Sequence, residues 1–203
     1  LIGAGLAIVA LAMRRNLHET DHFVAARSVR VKKEHSIRAL TRYPREVLVV
    51  VGLTMGGTTA FYTYTTYMQK FLVNSAGLDT RSASSLNAAT LFVFMLMQPV
   101  VGALSDRIGR RPLLIAFGVL GTALTVPILS ALQDVRTTTQ AFWLILAALA
   151  IVSFYTAINA VVKAELFPVE VRALGVGLPY ALTVAVFGGT AEYVALWFKN
   201  AGV

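Results

Sequence analysis

Long apolar runs separated by short polar turns dominate the chain. A helix rises 1.5 Å per residue, so about 20 mostly apolar residues cross a hydrocarbon core about 30 Å thick. Five runs meet that length, and each predicts a membrane-spanning helix: Val47–Leu72, Ser82–Leu104, Pro112–Leu132, Ala141–Val162 and Leu174–Phe198. A shorter run, Leu1–Met13, stops at Arg14-Arg15. A signal peptide carries its positive charge before the apolar stretch, not after it. Leu1–Met13 therefore reads as the end of a further span, and a sixth full span is expected beyond Val203.

Within the runs, polar residues recur at helical spacing. Thr54, Thr58, Tyr62, Thr65 and Gln69 form one line, and Asn87, Thr90, Phe94 and Gln98 a second. Ser153, Thr156, Asn159 and Lys163 form a third, while Tyr180, Thr183 and Glu192 lie along one side of the last run. Polar groups in lipid are expensive unless they face protein or a wet cavity. For a single Thr or Ser, an interhelical hydrogen-bonding seam is the simpler reading. The run Pro112–Leu132 has small residues and no such line, which suits a peripheral packing helix. Gly52 and Gly56 have the spacing of a packing pair.

Composition agrees with a membrane class: 57% of the 203 residues are apolar and only 14% charged, with a mean hydropathy of +0.69. A soluble domain carries about 25% charged residues. The net charge of +8 does not indicate a nucleic-acid binder, because the basic residues lie in turns between the spans. Threading five spans puts fourteen Lys and Arg on one side, including Arg14–Glu46, and four on the other: Lys70, Arg81, Arg136 and Lys199. By the positive-inside rule, Arg14–Glu46 is a cytoplasmic linker, with an amphipathic helix near Val29–Leu40 as the lesser alternative. The chain has no Cys, which excludes disulfides and thiolate sites. No nucleotide loop, catalytic triad or metal-ligand spacing occurs, so no enzyme activity, cofactor or metal is expected.

Two stretches carry motifs. Gly102–Pro112 reads GALSDRIGRRP, in which Gly102 allows close helix contact and Gly109 a tight turn. Asp106, Arg107, Arg110 and Arg111 make an interfacial charge cluster. Lys163–Gly177 reads KAELFPVEVRALGVG; Pro168 blocks helix continuation, and Glu165 or Glu170 is placed to pair with Arg172. The first motif resembles the signature of the major facilitator superfamily between its eighth and ninth helices. The second, with Arg14–Thr20, resembles the superfamily's metabolite–proton symporter branch. Phe61–Gly77, Leu91–Arg111, Ile151–Ala181 and Phe187–Gly202 look most like the members of that branch that carry 2-oxoglutarate.

The resemblance implies an all-α integral membrane protein of twelve helices in two halves, working by alternating access in a bacterial inner membrane. This chain would supply the end of helix six (1–13), the inter-half linker (14–46) and helices seven to eleven (47–203). The expected activity is proton-coupled uptake of 2-oxoglutarate. Shikimate, citrate or proline/betaine are alternative cargoes, and a non-transporting solute sensor is a remoter one. Partners would be a small organic anion, protons, the lipid bilayer and an amino-terminal half of the same protein, but no nucleic acid. Asp106, Arg107, Gly109 and Arg110 match the motif that latches the two halves on the cytoplasmic side. On this view Lys163 contributes positive potential to the substrate pathway, and Tyr62, Gln69, Tyr155, Asn159 and Tyr180 line it. Glu192 and Glu165 are the candidates for carrying protons.

Overall fold

The computed structural model describes residues 2–15 and 37–200. Most of the linker, including the Val29–Leu40 alternative up to residue 36, lies outside the described residues. The described elements are all helical: α1 (Ile2–Arg15), a 3-10 turn (Ile37–Arg42), α2 (Pro44–Asn74), α3 (Thr80–Ile108), α4 (Arg110–Gln133), α5 (Thr138–Glu165) and α6 (Arg172–Phe198). Helices α2 to α6 are each long and apolar enough to cross a membrane. They coincide with the five apolar runs and extend past them by a few residues. At the head of α2 the extra residues are a helix-start signal, with Pro44 in its first position and Glu46 in its first turn.

The turns have identifiable causes. Asp79 caps α3 by accepting a hydrogen bond from the Ser82 amide at 2.9 Å. The Ser82 hydroxyl and amide hold its carboxyl below the usual carboxylate range. Thr137 caps α5 in the same way through the Gln140 amide. Between α3 and α4 the chain reverses at Gly109, whose φ of +88° is a region that side-chain-bearing residues avoid. The turn predicted at Gly109 is therefore present, and its neighbours Arg107 and Arg110 fall at one end of the bundle.

Helix α5 is central and α4 peripheral. Half of the most apolar stretch of α5 is buried, against 11% for α4, which packs mainly along α5. One apolar core, around Met68, Leu72, Ile145 and Leu149, fills the end opposite Gly109. A second, around Val50, Phe167 and Val171, fills the arginine-rich end.

Three interruptions break the helical ladders. Helices α2 and α6 each contain a π turn, at Thr63–Tyr67 and Val184–Gly188. Helix α5 unwinds at Ala157–Ile158, between Thr156 and Asn159. Backbone carbonyls freed in lipid must find partners, and the side-chain amides of two asparagines provide them. Asn87 Nδ2 donates to the Thr65 carbonyl at 3.2 Å, and Asn159 Nδ2 to the Thr156 carbonyl at 3.0 Å.

Candidate functional site

The break in α5 lies just before Lys163, among the largest fully buried side chains of the described residues and only 1% exposed. Snorkelling to an interface would leave it exposed; instead it turns inward. Its Nζ donates to the Tyr155 hydroxyl at 2.9 Å and to Asn159 Oδ1 at 3.3 Å. The ammonium also lies over the Tyr180 ring, 4.5 Å from its centroid, and 5.3 Å from that of Tyr155. Asn159 and Tyr155 stand one and two turns before Lys163 on α5, so two polar groups of one helix meet one amine. No carboxylate pairs with Lys163 among the described residues.

Next to this cluster is a cavity of about 260 Å³, bounded by Gly57, Thr58, Phe61 and Tyr62 of α2, by Tyr155, Thr156 and Asn159 of α5, and by Tyr180 and Val184 of α6. That is just below the roughly 300–1,000 Å³ of pockets for drug-sized ligands and suits a smaller solute. Four of the residues expected along the pathway, Tyr62, Tyr155, Asn159 and Tyr180, line it together, with Lys163 against three of them. A larger groove of about 670 Å³ runs between α2 and α4; its lining, from Met55 and Gly118 to Phe187, carries no charged group.

Gln69 is elsewhere. Its Nε2 donates to Ser84 on α3 at 2.7 Å, outside the cavity's lining. The line drawn at α-helical spacing fails because the π turn at Thr63–Tyr67 takes an extra residue and rotates the rest of α2 toward α3. Thr54, Thr58 and Tyr62 precede the turn and face α5 and α6, whereas Thr65 lies within it and Gln69 beyond it. The α3 line meets α5 through Gln98, whose Oε1 accepts from Thr156 at 2.9 Å.

The two motifs touch at the arginine-rich end. Arg110 pairs with Glu165 at 2.8 Å, joining the α3–α4 turn to the end of α5. Arg172 donates instead to the Phe167 carbonyl at 3.2 Å, so neither Glu165 nor Glu170 forms the expected pair with it. Phe167, in the loop around Pro168, packs so closely on Gly175 that a Cβ there would lie 2.6 Å from its ring. Asp106, Arg107 and Arg111 are exposed, and nothing lies within 4 Å of a Cβ built on Gly102, so its expected close contact is not made among the described residues. At the opposite end Glu192 pairs with Lys70, tying α6 to α2.

One residue was missed by spacing. A Cβ at Gly57 would lie 2.0 Å from the Tyr155 ring, whereas Gly52 and Gly56 have nothing within 4 Å. The close α2–α5 approach uses Gly57, which lies between Thr54, three residues earlier, and Thr58, one residue later.

Residues 50–191 match the family model described as Major Facilitator Superfamily. The chain belongs to that superfamily. It is 53% identical to an alpha-ketoglutarate permease of Escherichia coli strain K12, over 100% of this chain and 46% of the relative. It is 33% identical to a citrate-proton symporter of Klebsiella pneumoniae, over 96% of this chain and 44% of the relative. An ectoine/proline transporter of Corynebacterium glutamicum is 31% identical over 74% of this chain and 30% of its own length. The chain thus spans about half or less of the length of the curated relatives it matches. No solved structure matches it. These relatives are transporters, and membership of the superfamily with five span-length helices makes this an integral membrane protein.

Proposed function

We propose that the protein is a proton-coupled carrier of 2-oxoglutarate, working by alternating access in a bacterial inner membrane with residues 14–46 on the cytoplasmic side, and that this chain is its carboxy-terminal half. The observation that carries the cargo class is Lys163: a buried amine held, among the described residues, by neutral groups, three of which line a cavity of metabolite size. A buried charge needs a partner, and an organic anion entering the cavity supplies one. Tyr62, Asn159 and Tyr180 add groups that hydrogen-bond a carboxylate or an oxo group. The names of two relatives, a permease for alpha-ketoglutarate and a symporter for citrate, support the same class.

Proton coupling follows from charge. Bringing a dianion into an inside-negative cell works against about 4.6 kcal/mol at 100 mV, twice the roughly 2.3 for each charge. Two protons cancel that charge and a third turns the potential into a driving force. Among residues of this chain, Glu192 and Glu165 are the carriers to test. Each is in an ion pair, Glu192 with Lys70 and Glu165 with Arg110. The Arg110–Glu165 contact supports treating the arginine-rich turn and the end of α5 as one unit, with Asp106, Arg107, Gly109, Arg110 and Arg111 as the surface that latches against the other half.

The test is uptake of labelled 2-oxoglutarate into proteoliposomes holding the full-length protein, with and without an inward proton gradient. Accumulation stimulated by the gradient is expected. Absence of uptake by folded protein, beside a working control symporter, overturns the cargo; direct uptake assays with citrate, shikimate, proline and betaine then identify another.

A further inference from the structure

Tyr155 is held in place from both sides. Phe117 of α4 stacks on its ring, with centroids 5.3 Å apart and planes 28° from parallel. The ring also lies on the α2 backbone, where Gly57 leaves no room for a methyl group: a Cβ would meet three ring carbons at 2.0, 2.2 and 2.5 Å. Van der Waals contact between carbons needs about 3.5 Å, so the ring occupies the space of the missing side chain. This seat carries the phenol oxygen onto Lys163 Nζ.

We propose that Gly57 is a positioning residue of the anion site: by lacking a side chain it seats Tyr155 so that the phenol covers the Lys163 amine, and it thereby sets how readily an anion reaches that amine. This rests on the reading of the Lys163 cavity as the anion site. Gly57 acts on the solute through Tyr155. Its effect passes through one ring, which makes it separable from helix packing at large.

The experiment is a pairwise cycle of Gly57→Ala and Tyr155→Ala in the full-length protein, read by two measurements. The first is the half-saturation concentration for 2-oxoglutarate uptake. The second is acylation of Lys163 by a membrane-permeant amine reagent, quantified by mass spectrometry, which requires no assumption about cargo. Gly57→Ala displaces the ring and uncovers the amine: half-saturation shifts at least fivefold, and Lys163 labelling rises at least threefold. Tyr155→Ala does the same and leaves space for the new methyl group. The double variant should therefore match Tyr155→Ala alone in both readouts, a non-additivity expected when one residue acts through the other. Should Gly57→Ala fail to fold, the double variant still decides, because removing the ring must restore folding. Additive effects, unchanged Lys163 labelling in a folded Gly57→Ala, or a double variant that does not fold would each overturn the proposal. If the wild type takes up no carboxylate, the cargo reading fails while the labelling cycle still tests Gly57.

Discussion

Two lysines within the span-length helices are handled in opposite ways. Lys70, near one end of α2, is half exposed and meets Glu192 of α6. Lys163, near the other end of the bundle on α5, is buried and meets a phenol, an amide and an aromatic face. An ion pair at a wet rim needs nothing more, and such pairs contribute about 0–1 kcal/mol. A buried amine with neutral neighbours has no such partner among the described residues, and on the function proposed above an entering anion supplies it. The difference lies in the partner rather than in the residue, and the proposed function reads it as the difference between a structural tie and a receptive site.

Removing Lys163 is the sharpest way to break that distinction. A hydrogen bond to a charged group is worth about 1.5–3 kcal/mol, or roughly 10- to 150-fold in rate at 1.36 kcal/mol per decade. Lys163→Ala is expected to lower kcat/KM for 2-oxoglutarate uptake by that range, with Lys163→Arg restoring only part of it because a planar guanidinium does not fit an ammonium site. Unchanged uptake kinetics would place the amine outside the pathway. Next in size is Tyr155→Phe, which removes the hydroxyl and keeps the ring on Gly57. The hydroxyl accepts from the ammonium, and an entering carboxylate can take its place there, so only part of a charged bond's worth is lost and a two- to tenfold rise in half-saturation is expected, about 0.5–1.5 kcal/mol, without loss of folded protein in detergent. A variant with wild-type affinity would reduce Tyr155 to packing.

Most of the fold was legible in the sequence because lipid demands unbroken apolar length, and five runs had it. Gly109 was legible because a turn of one residue admits little else. The cavity was legible in part. Tyr155, Asn159 and Lys163 share a helix at spacings of four, and Tyr180 and Tyr62 face them from α6 and α2. That Gln69 lies outside this cavity was not legible, because periodicity assumes one helical geometry throughout, and a π turn that shifts the phase has no pattern of apolar positions to announce it. Gly57 was missed for a different reason. The Gly52–Gly56 spacing suggested a packing face, while the glycine that packs is the one beside Thr58. The two motifs were each visible, but not that Arg110 of one meets Glu165 of the other, since such a contact depends on tertiary geometry.

That contact allows a finer comparison between the two ends. Glu165→Arg sets two guanidiniums against each other at the arginine-rich end and is expected to slow uptake severalfold. Adding Arg110→Glu rebuilds the pair in reverse and should recover the rate to within about twofold of wild type, the pair itself being a partly exposed one worth about 0.2–1 kcal/mol. Recovery marks the pair as a tie between the α3–α4 turn and α5. Failure to recover would show that Glu165 or Arg110 has a task beyond the pair: Arg110→Gln alone tests the latch, and uptake with and without a gradient in Glu165→Gln tests proton carriage.

The smallest effect belongs to Lys70. Both partners of its pair are substantially exposed, at 53% and 36% of their side chains, so water and salt already screen them. A double-mutant cycle of Lys70→Ala and Glu192→Gln, read by thermal unfolding in detergent, should return a coupling of at most about 1 kcal/mol. Raising ionic strength from about 0.01 to 1 M shortens the screening length from about 30 to 3 Å and should weaken that coupling further. Uptake should change less than about twofold in Lys70→Ala, as expected for so small a coupling. If Lys70→Ala instead matched Lys163→Ala in its loss of uptake, the contrast between a paired and a receptive lysine would fail, and the Lys70–Glu192 contact would have to be one that opens and closes during transport.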